Sequence, residues 1–514
     1  MLTLLAATPL LAVMVLLGGL RMRSHWAGMI GLTLALVLAI AEFGLPAGQA
    51  ISGALEGAAF GLFPIIWIVL NAVWINKLQR STKYFDVIAR TFSAISNDVR
   101  VQAILIAFCF GAMIESVSGF GTPIAVTSVL LLTAGLTPIR AATIAVFANT
   151  APAAFGSVGN PIQGLAKVTA YPPVELGAVV GQQSSVIAMA VPLALLIMLD
   201  GRRGVRELWP VALIAGFAFG AGQLVCSRLL TYQLADLIAA ATATVAVVVL
   251  LRHWTPQHAL DDAMQISRVE RDSLQEILIA FSPYVLLSAL FVLTKFIGPV
   301  RTLIEVTDVS FRWPDLYSVD ASGRPLTVTV FDLSWLSSSG TILLVTGGLT
   351  AVALRVSLRR ALWCYRDAMV QIRWAALTVT SVLALSYVMN LSGMADALGT
   401  WLAGTGAAFA LLSGLLGWFG VALTGSDTAS NVLFGAMQVA AAHHVGVSPL
   451  LMAATNSTGG VQGKAVSMQN LALAASAVGL HGREGEILRK VLGWSLGLLA
   501  IVCVSTWLLT LTAS

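Results

Sequence analysis

The chain has 514 residues, 58% of them hydrophobic and 10% charged, with a formal net charge of +5 and a mean hydropathy of +0.88. Soluble globular domains carry about 25% charged residues, so this composition excludes a water-soluble fold. The positive balance fits basic cytoplasmic loops, and no nucleic-acid partner is indicated.

Apolar blocks of about 15 to 25 residues recur along nearly the whole length, and a helix of that size crosses roughly 30 Å of hydrocarbon. About 12 to 16 such blocks, some of half length, predict an all-α, polytopic, multi-pass protein of the cell (inner, cytoplasmic) membrane. The first block, 2–17, has no basic residue before it and Arg21 and Arg23 after it, the reverse of a secretory signal peptide. It reads as a retained span. Basic segments at 21–25, 77–90, 201–207, 252–276 and 355–373 read as cytoplasmic, and the acidic stretch 298–336 as a long outer loop. Cys109, Cys226, Cys364 and Cys503 are scattered with no metal-ligand or redox spacing, so neither a metal nor a cofactor is expected.

With these sides assigned, the block from 101 runs outward and the block at 404–424 runs inward. Each ends in a polar intramembrane stretch, "GAMIESVSGFGTPIAV" (111–126) and "GVALTGSDTASNVLF" (420–434). Each is followed by a "GLTP" or "GVSP" turn and then by a second polar, glycine-rich stretch, "FANTAPAAFGSVGNPIQG" (147–164) and "ATNSTGGVQGKAVSMQN" (454–470). The same features in the same order and opposite direction predict two inverted repeats with discontinuous helices or re-entrant hairpins. The expected division is scaffold helices at 1–100, a first repeat core at 101–200, connecting and scaffold helices at 201–373, a second repeat core at 374–487 and a terminal helix at 488–514. The basic cluster 483–490 falls outside on simple counting unless the second repeat contains a re-entrant hairpin.

In hydrocarbon an interrupted helix survives only where it faces protein or a wet cavity. Gly119, Gly121 and Pro123, and Gly459, Gly460 and Gly463, read as the interrupters. A broken helix exposes N–H groups and the positive end of its dipole, which suits a small carboxylate. Asp427, Ser430 and Asn431 share a helical face, with Ser426 and Thr428 free to cap. The partner stretch offers Glu115, Ser116, Ser118, Gly119, Gly121 and Thr122. Glu115 and Asp427 are the proton-carrying candidates, because an unpaired intramembrane carboxylate costs roughly 3 kcal/mol or more. Lys464 is the candidate cation for a substrate carboxylate. Each residue also has a plainer reading: Asp427 as a surface helix cap, Glu115 as an interfacial residue, Lys464 snorkelling, and Asn149, Thr150, Asn456, Ser457 and Thr458 as interhelical hydrogen bonders.

The motifs "GFGTPIAV", "ANTAPAAFG", "LTGSDTASN" and "TNSTGGVQGK", in that order, resemble the lactate permease family of bacterial secondary transporters. The resemblance implies carriage of L-lactate, D-lactate or glycolate with protons, inverted repeats with re-entrant hairpins, dimers and elevator-like motion. It would put the hairpin tips at Asn149 and Thr150 and at Asn456, Ser457 and Thr458. Met468 and Asn160 depart from the family pattern. The expected function is therefore proton-coupled symport of a small 2-hydroxymonocarboxylate, with the anion held by both repeats and a homodimer possible. Sodium-coupled organic anion transport is the alternative within the same class, and a proton-conducting subunit of an energy-coupling complex is the alternative outside it. An intramembrane enzyme is disfavoured, since HExxH, GxGD and GxSG motifs are all lacking.

Overall fold

The computed structural model describes residues 2–20, 22–119, 121–254, 272–317 and 329–512. Parts of the expected inner segment 252–276 and outer loop 298–336 lie outside these residues. Nearly all of the described chain is helical, apart from a short antiparallel pair, Val309–Arg312 with Val330–Leu333. Among the described residues nine helices are long and apolar enough to cross a membrane, or ten if the pair Pro138–Ala148 and Ala153–Thr169 is one bent span. Pro173–Leu230, at 58 residues, is about 87 Å long, far more than one crossing needs. Its backbone leaves helical geometry at Asp200 and Gly201, so it turns at the basic 201–207 segment and crosses twice.

The basic segments meet in ion pairs at one end of the molecule. Lys83 bonds Glu276 at 2.6 Å, Arg90 bonds Asp272 at 2.7 Å, and Arg360 donates to the Ser81 carbonyl at 2.8 Å. Arg100, fully buried, is held by Asp98, Asp200 and Glu207. The acidic stretch gathers elsewhere, where Ser52 donates to the Pro314 carbonyl and Lys167 bonds the Val330 carbonyl. This separation agrees with the sides assigned from charge.

The block from 101 is one arm of a helical hairpin. Val99–Ser118 turns at Gly119–Gly121 and returns as Thr122–Thr133, with Gly111 set against Thr127. The returning arm has 12 residues, about 18 Å, which is too short to reach the far side. Phe409–Thr424 likewise turns at Gly425 and returns as Asp427–Val445, and the Ser430 hydroxyl ties the arms by donating to the Gly417 carbonyl at 3.1 Å. Gly121 and Gly425, at φ 77° and 74°, take left-handed conformations that a side chain would strain. Both blocks are therefore the first arms of helical hairpins that turn at a glycine. A second hairpin that begins and ends on one side is the condition under which the cluster 483–490 would fall with the other basic segments.

After each hairpin comes an interrupted helix. The first bends by 60° between Pro138–Ala148 and Ala153–Thr169. The second runs Pro449–Gly463, passes one tight turn at Lys464–Val466 and continues as Met468–Ala477. Packing across the halves is reciprocal: Gly121 of the first hairpin lies on Leu473, and Gly164 of the first interrupted helix lies on Thr428 and Val432 of the second hairpin. Two oppositely threaded repeats produce this exchange.

Gly459, Gly460 and Gly463 do not break the helix, contrary to the sequence reading. They stay inside Pro449–Gly463 and let it approach Phe409–Thr424 closely. A Cβ on Gly459 would stand 2.3 Å from the Gly414 carbonyl oxygen, and one on Gly463 2.2 Å from that of Trp418. Intramembrane helix pairs use small residues for this contact because lipid supplies no hydrophobic drive. A Cβ on Gly417 would meet the Asn456 carbonyl oxygen at 1.9 Å, so Gly417→Ala should destabilise the purified protein by about 3 kcal/mol or more, the upper range for overpacking. Gly348→Ala, where a Cβ meets nothing within 4 Å, is the control. Thermal melting in detergent should show a lower midpoint for the first variant alone; equal midpoints would mean that close approach is not required.

Candidate functional site

A cavity of about 240 Å³ lies where the two hairpin tips and the two helix interruptions converge. The first repeat contributes Glu115, Gly119, Gly156, Ser157 and Asn160 to its wall. The second contributes Ser426, Asp427, Thr428 and Lys464. Two rings from outside the repeats close one side: His25 of Ser24–Ala41 and Trp374 of Leu358–Leu391 stack at 4.5 Å. His25 closes the basic segment 21–25, and Trp374 directly follows the basic segment 355–373.

Glu115 lies one turn before the first hairpin's break. Its Oε1 accepts from Lys464 Nζ at 2.6 Å, and its Oε2 from Asn149 Nδ2 at 3.0 Å. Glycine on both flanks makes room, since a Cβ on Gly156 would stand 2.6 Å from Oε1. Glu115 and Lys464 are 2% and 6% exposed, so neither is interfacial and Lys464 does not snorkel. Such a pair is costly to desolvate, and removing one partner from it typically costs about 3 to 5 kcal/mol.

Asp427 is the first residue of a 19-residue helix whose cap is Ser426; the Ser426 hydroxyl accepts from Ala429 N at 3.3 Å. The carboxylate is 5% exposed, which rules out a surface cap. Its Oδ2 accepts from the Ser457 hydroxyl at 2.7 Å and from Asn431 Nδ2 at 3.3 Å, while Oδ1 is buried with no hydrogen-bond partner. A carboxylate at a helix N-terminus gains about 0.3 to 1 kcal/mol from the dipole. That positive end is thus already occupied by a residue of the chain.

The first repeat's interruption is the more distorted one. Ser157, Val158 and Gly159 have φ of 47°, 58° and 71°, and a left-handed conformation costs a residue with a Cβ about 1 to 2 kcal/mol. The distortion aims the Ser157 hydroxyl at the hairpin tip, where it accepts from Gly119 N at 3.0 Å. One of the N–H groups exposed by the break is thereby satisfied.

The remaining sequence-selected residues surround the cavity without lining it. Asn149 orients Glu115, Ser457 and Asn431 orient Asp427, and Asn456 donates to Asn431 Oδ1 at 2.9 Å. Ser116, Thr150 and Ser430 bond backbone carbonyls, and Thr458 turns away to Gln183. Ser118 is buried without a partner; Gly121 and Thr122 form the turn itself. Asn149 and Thr150 sit at the bend, and Asn456, Ser457 and Thr458 lie mid-helix, so none of them forms a hairpin tip.

Sequence reading gave no site role to His25, Trp374, Ser157 and Asn160, the last of which it noted only as a departure from the family pattern. The latter two lie inside the "GSVGN" motif, but the rings arrive from distant helices and carry no local signal. It also passed over two fully buried acids, Glu56 and Asp236; Asp236 accepts from Gln223 Nε2 at 2.8 Å. Among the described residues no group of three or more His, Cys, Asp or Glu is placed to hold a metal.

Comparison with known proteins agrees with this architecture. The solved structure of MtrF from Neisseria gonorrhoeae, described as one of a class of antimetabolite efflux pumps, aligns over 96% of both chains with a TM-score of 0.53 at 12% identity. The Alcanivorax borkumensis YdaH transporter, described as having an unusual topology, aligns over 95% of this chain and 98% of its own with a TM-score of 0.51 at 15% identity. These likenesses concern the fold. In sequence, the glycolate permease GlcA of Escherichia coli (strain K12) is 35% identical over 98% of this chain and 95% of that protein. An L-lactate permease of Bacillus subtilis (strain 168) is 36% identical over 95% of this chain and 92% of its own. The family model described as L-lactate permease matches residues 3–512. The chain, a multi-pass protein of the cell membrane and a permease, not an enzyme, belongs to the L-lactate permease family.

Proposed function

We propose that the chain carries a small 2-hydroxymonocarboxylate, lactate or glycolate, together with one proton. The names of its relatives support the substrate class. One observation supports the coupling: among the described residues the cavity is lined by one lysine or arginine, Lys464, and two acids, Glu115 and Asp427, all three buried.

Adding a substrate anion to this set would bury one more negative charge, at a cost of several kcal/mol if uncompensated. One proton taken with it leaves the buried charge unchanged. The substrate carboxylate also competes with Glu115 for Lys464 and with Asp427 for the helix N-terminus, the two sources of positive potential in the cavity. Protonation of either acid frees one source for the anion. Anion and proton then favour each other's binding, as thermodynamic linkage requires. The hydroxyls of Ser157 and Thr428 and the amide of Asn160, whose Oδ1 is unpartnered, are the groups we assign to the 2-hydroxyl. Asp427 is the proton carrier we favour, because no cation sits on its free oxygen.

Uptake of labelled lactate and glycolate into proteoliposomes should follow an imposed pH gradient, be indifferent to sodium, and collapse with a protonophore. Asp427→Asn should abolish gradient-driven accumulation while leaving slow equilibration. Accumulation that ignores the pH gradient would overturn proton coupling, and unaltered uptake by Asp427→Asn would overturn the residue assignment.

Lys464→Met should destabilise the fold by about 3 to 5 kcal/mol, since it strands Glu115 as a lone buried charge. Adding Glu115→Gln to that variant should recover most of the loss. Thermal melting of the three proteins in detergent checks this, and equal melting of the two Lys464→Met proteins would show that the pair is not held as an ion pair.

A further inference from the structure

A second acid lies outside the substrate cavity, in the scaffold. Glu56, on the helix Ala47–Phe60, has no exposed surface, and both of its carboxyl oxygens are buried without a hydrogen-bond partner. The Tyr387 hydroxyl, on the helix Leu358–Leu391, is in the same condition. The two residues come together because Gly57 lets the helices touch: a Cβ there would stand 2.7 Å from the Leu383 carbonyl oxygen. Phe60, one turn after Glu56, stacks on the Tyr387 ring at 6.4 Å.

Most buried polar groups have partners, and orphaned ones mark an unexplained role. An ionised carboxylate with no donor and no cation in contact is the least tolerable of them, while a carboxylic acid carries no net charge into the low dielectric. The titratable and charged groups that reach Glu56 are Lys167, Asp332 and Tyr387. Lys167 stands over the Phe60 ring at 5.5 Å and is tied to the Val330 carbonyl at 2.5 Å and to Asp332 at 3.4 Å. Phe60, Lys167 and Asp332 also line a second cavity, about 1010 Å³, which faces the acidic outer stretch together with Lys295 and Arg301. That cavity is thus lined by Phe60 and Lys167, which also lie near the buried acid.

We propose that Glu56, beside Tyr387, is a second proton-binding site, filled from the outer vestibule past Lys167 and separate from the substrate cavity. A proton from vestibule water adds to the Glu56 carboxylate and converts it to the neutral acid; release reverses the step. Lys167 belongs to the first repeat and Glu56 to the scaffold, so this site reports the position of one against the other. When Lys167 is beside Glu56 its charge supports the carboxylate, and when it withdraws the acid retains its proton. The inference concerns proton binding alone and does not depend on the substrate reading.

The test is a pH titration of the purified, substrate-free protein, followed by difference infrared spectroscopy in the carboxylic C=O stretching region. A titrating band should be lost in Glu56→Gln, retained in Asp427→Asn, and shifted in Tyr387→Phe, where the neighbouring hydroxyl is removed. Lys167→Met should displace its titration toward higher pH, because a supporting cation is gone. A full set of bands in Glu56→Gln would overturn the proposal, as would a band in Tyr387→Phe identical to wild type. Since no transport is measured, failure here would leave the symport reading untouched, and failure of symport would leave this site untouched.

Discussion

A lysine buried in the middle of a membrane protein is tolerable only with an anion beside it, and here the anion comes from the other half of the chain. Lys464 and Glu115 lie 349 positions apart and meet at 2.6 Å. That contact requires the first hairpin to turn back at Gly119, the second interrupted helix to kink at Lys464, and the two repeats to lie tip to tip. The rest of the cavity follows: Asn149 orients the far oxygen of Glu115, Ser157 receives the exposed N–H of the tip, and Asp427 occupies the opposite wall. Cavity polarity is thus a consequence of joining two interrupted structures, each of which alone would leave unpaired groups in hydrocarbon.

The two repeats solve the same problem by different local means. In the first, the interrupted helix bends sharply and places left-handed residues at Ser157 to Gly159. In the second, Pro449–Gly463 remains straight and its glycines serve packing, so polarity is delivered by side chains, Asn456 and Ser457, that reach into the hairpin. An inverted repeat therefore need not be symmetric in detail. The asymmetry leaves one acid, Glu115, paired with a cation and the other, Asp427, with hydroxyl and amide donors.

Charge arithmetic also accounts for the scaffold. Basic loops collect at one end through Lys83, Arg90, Arg100 and Arg360, while Lys167 faces the acidic outer stretch. The scaffold supplies His25 and Trp374 to the first cavity and the Glu56 and Tyr387 pair near the second one. Polar groups thus gather at both cavities.

From the sequence alone came the membrane-spanning helical class, the pairing of two polar motifs in two inverted repeats, and the choice of Glu115, Asp427 and Lys464, which the structure buries around one cavity. These are legible because they depend on composition, on loop charge and on charged residues that hydrocarbon would reject, all of them local properties. Tertiary structure alone decided that Gly459, Gly460 and Gly463 pack and do not break, and that His25 and Trp374 close the cavity. It also decided that the Glu56 carboxyl and the Tyr387 hydroxyl are both buried without a hydrogen-bond partner. Each of these depends on what stands opposite a residue from a distant part of the chain. A glycine that permits a turn and a glycine that permits close contact read alike in one dimension, and they differ only in whether the opposing group is solvent or backbone.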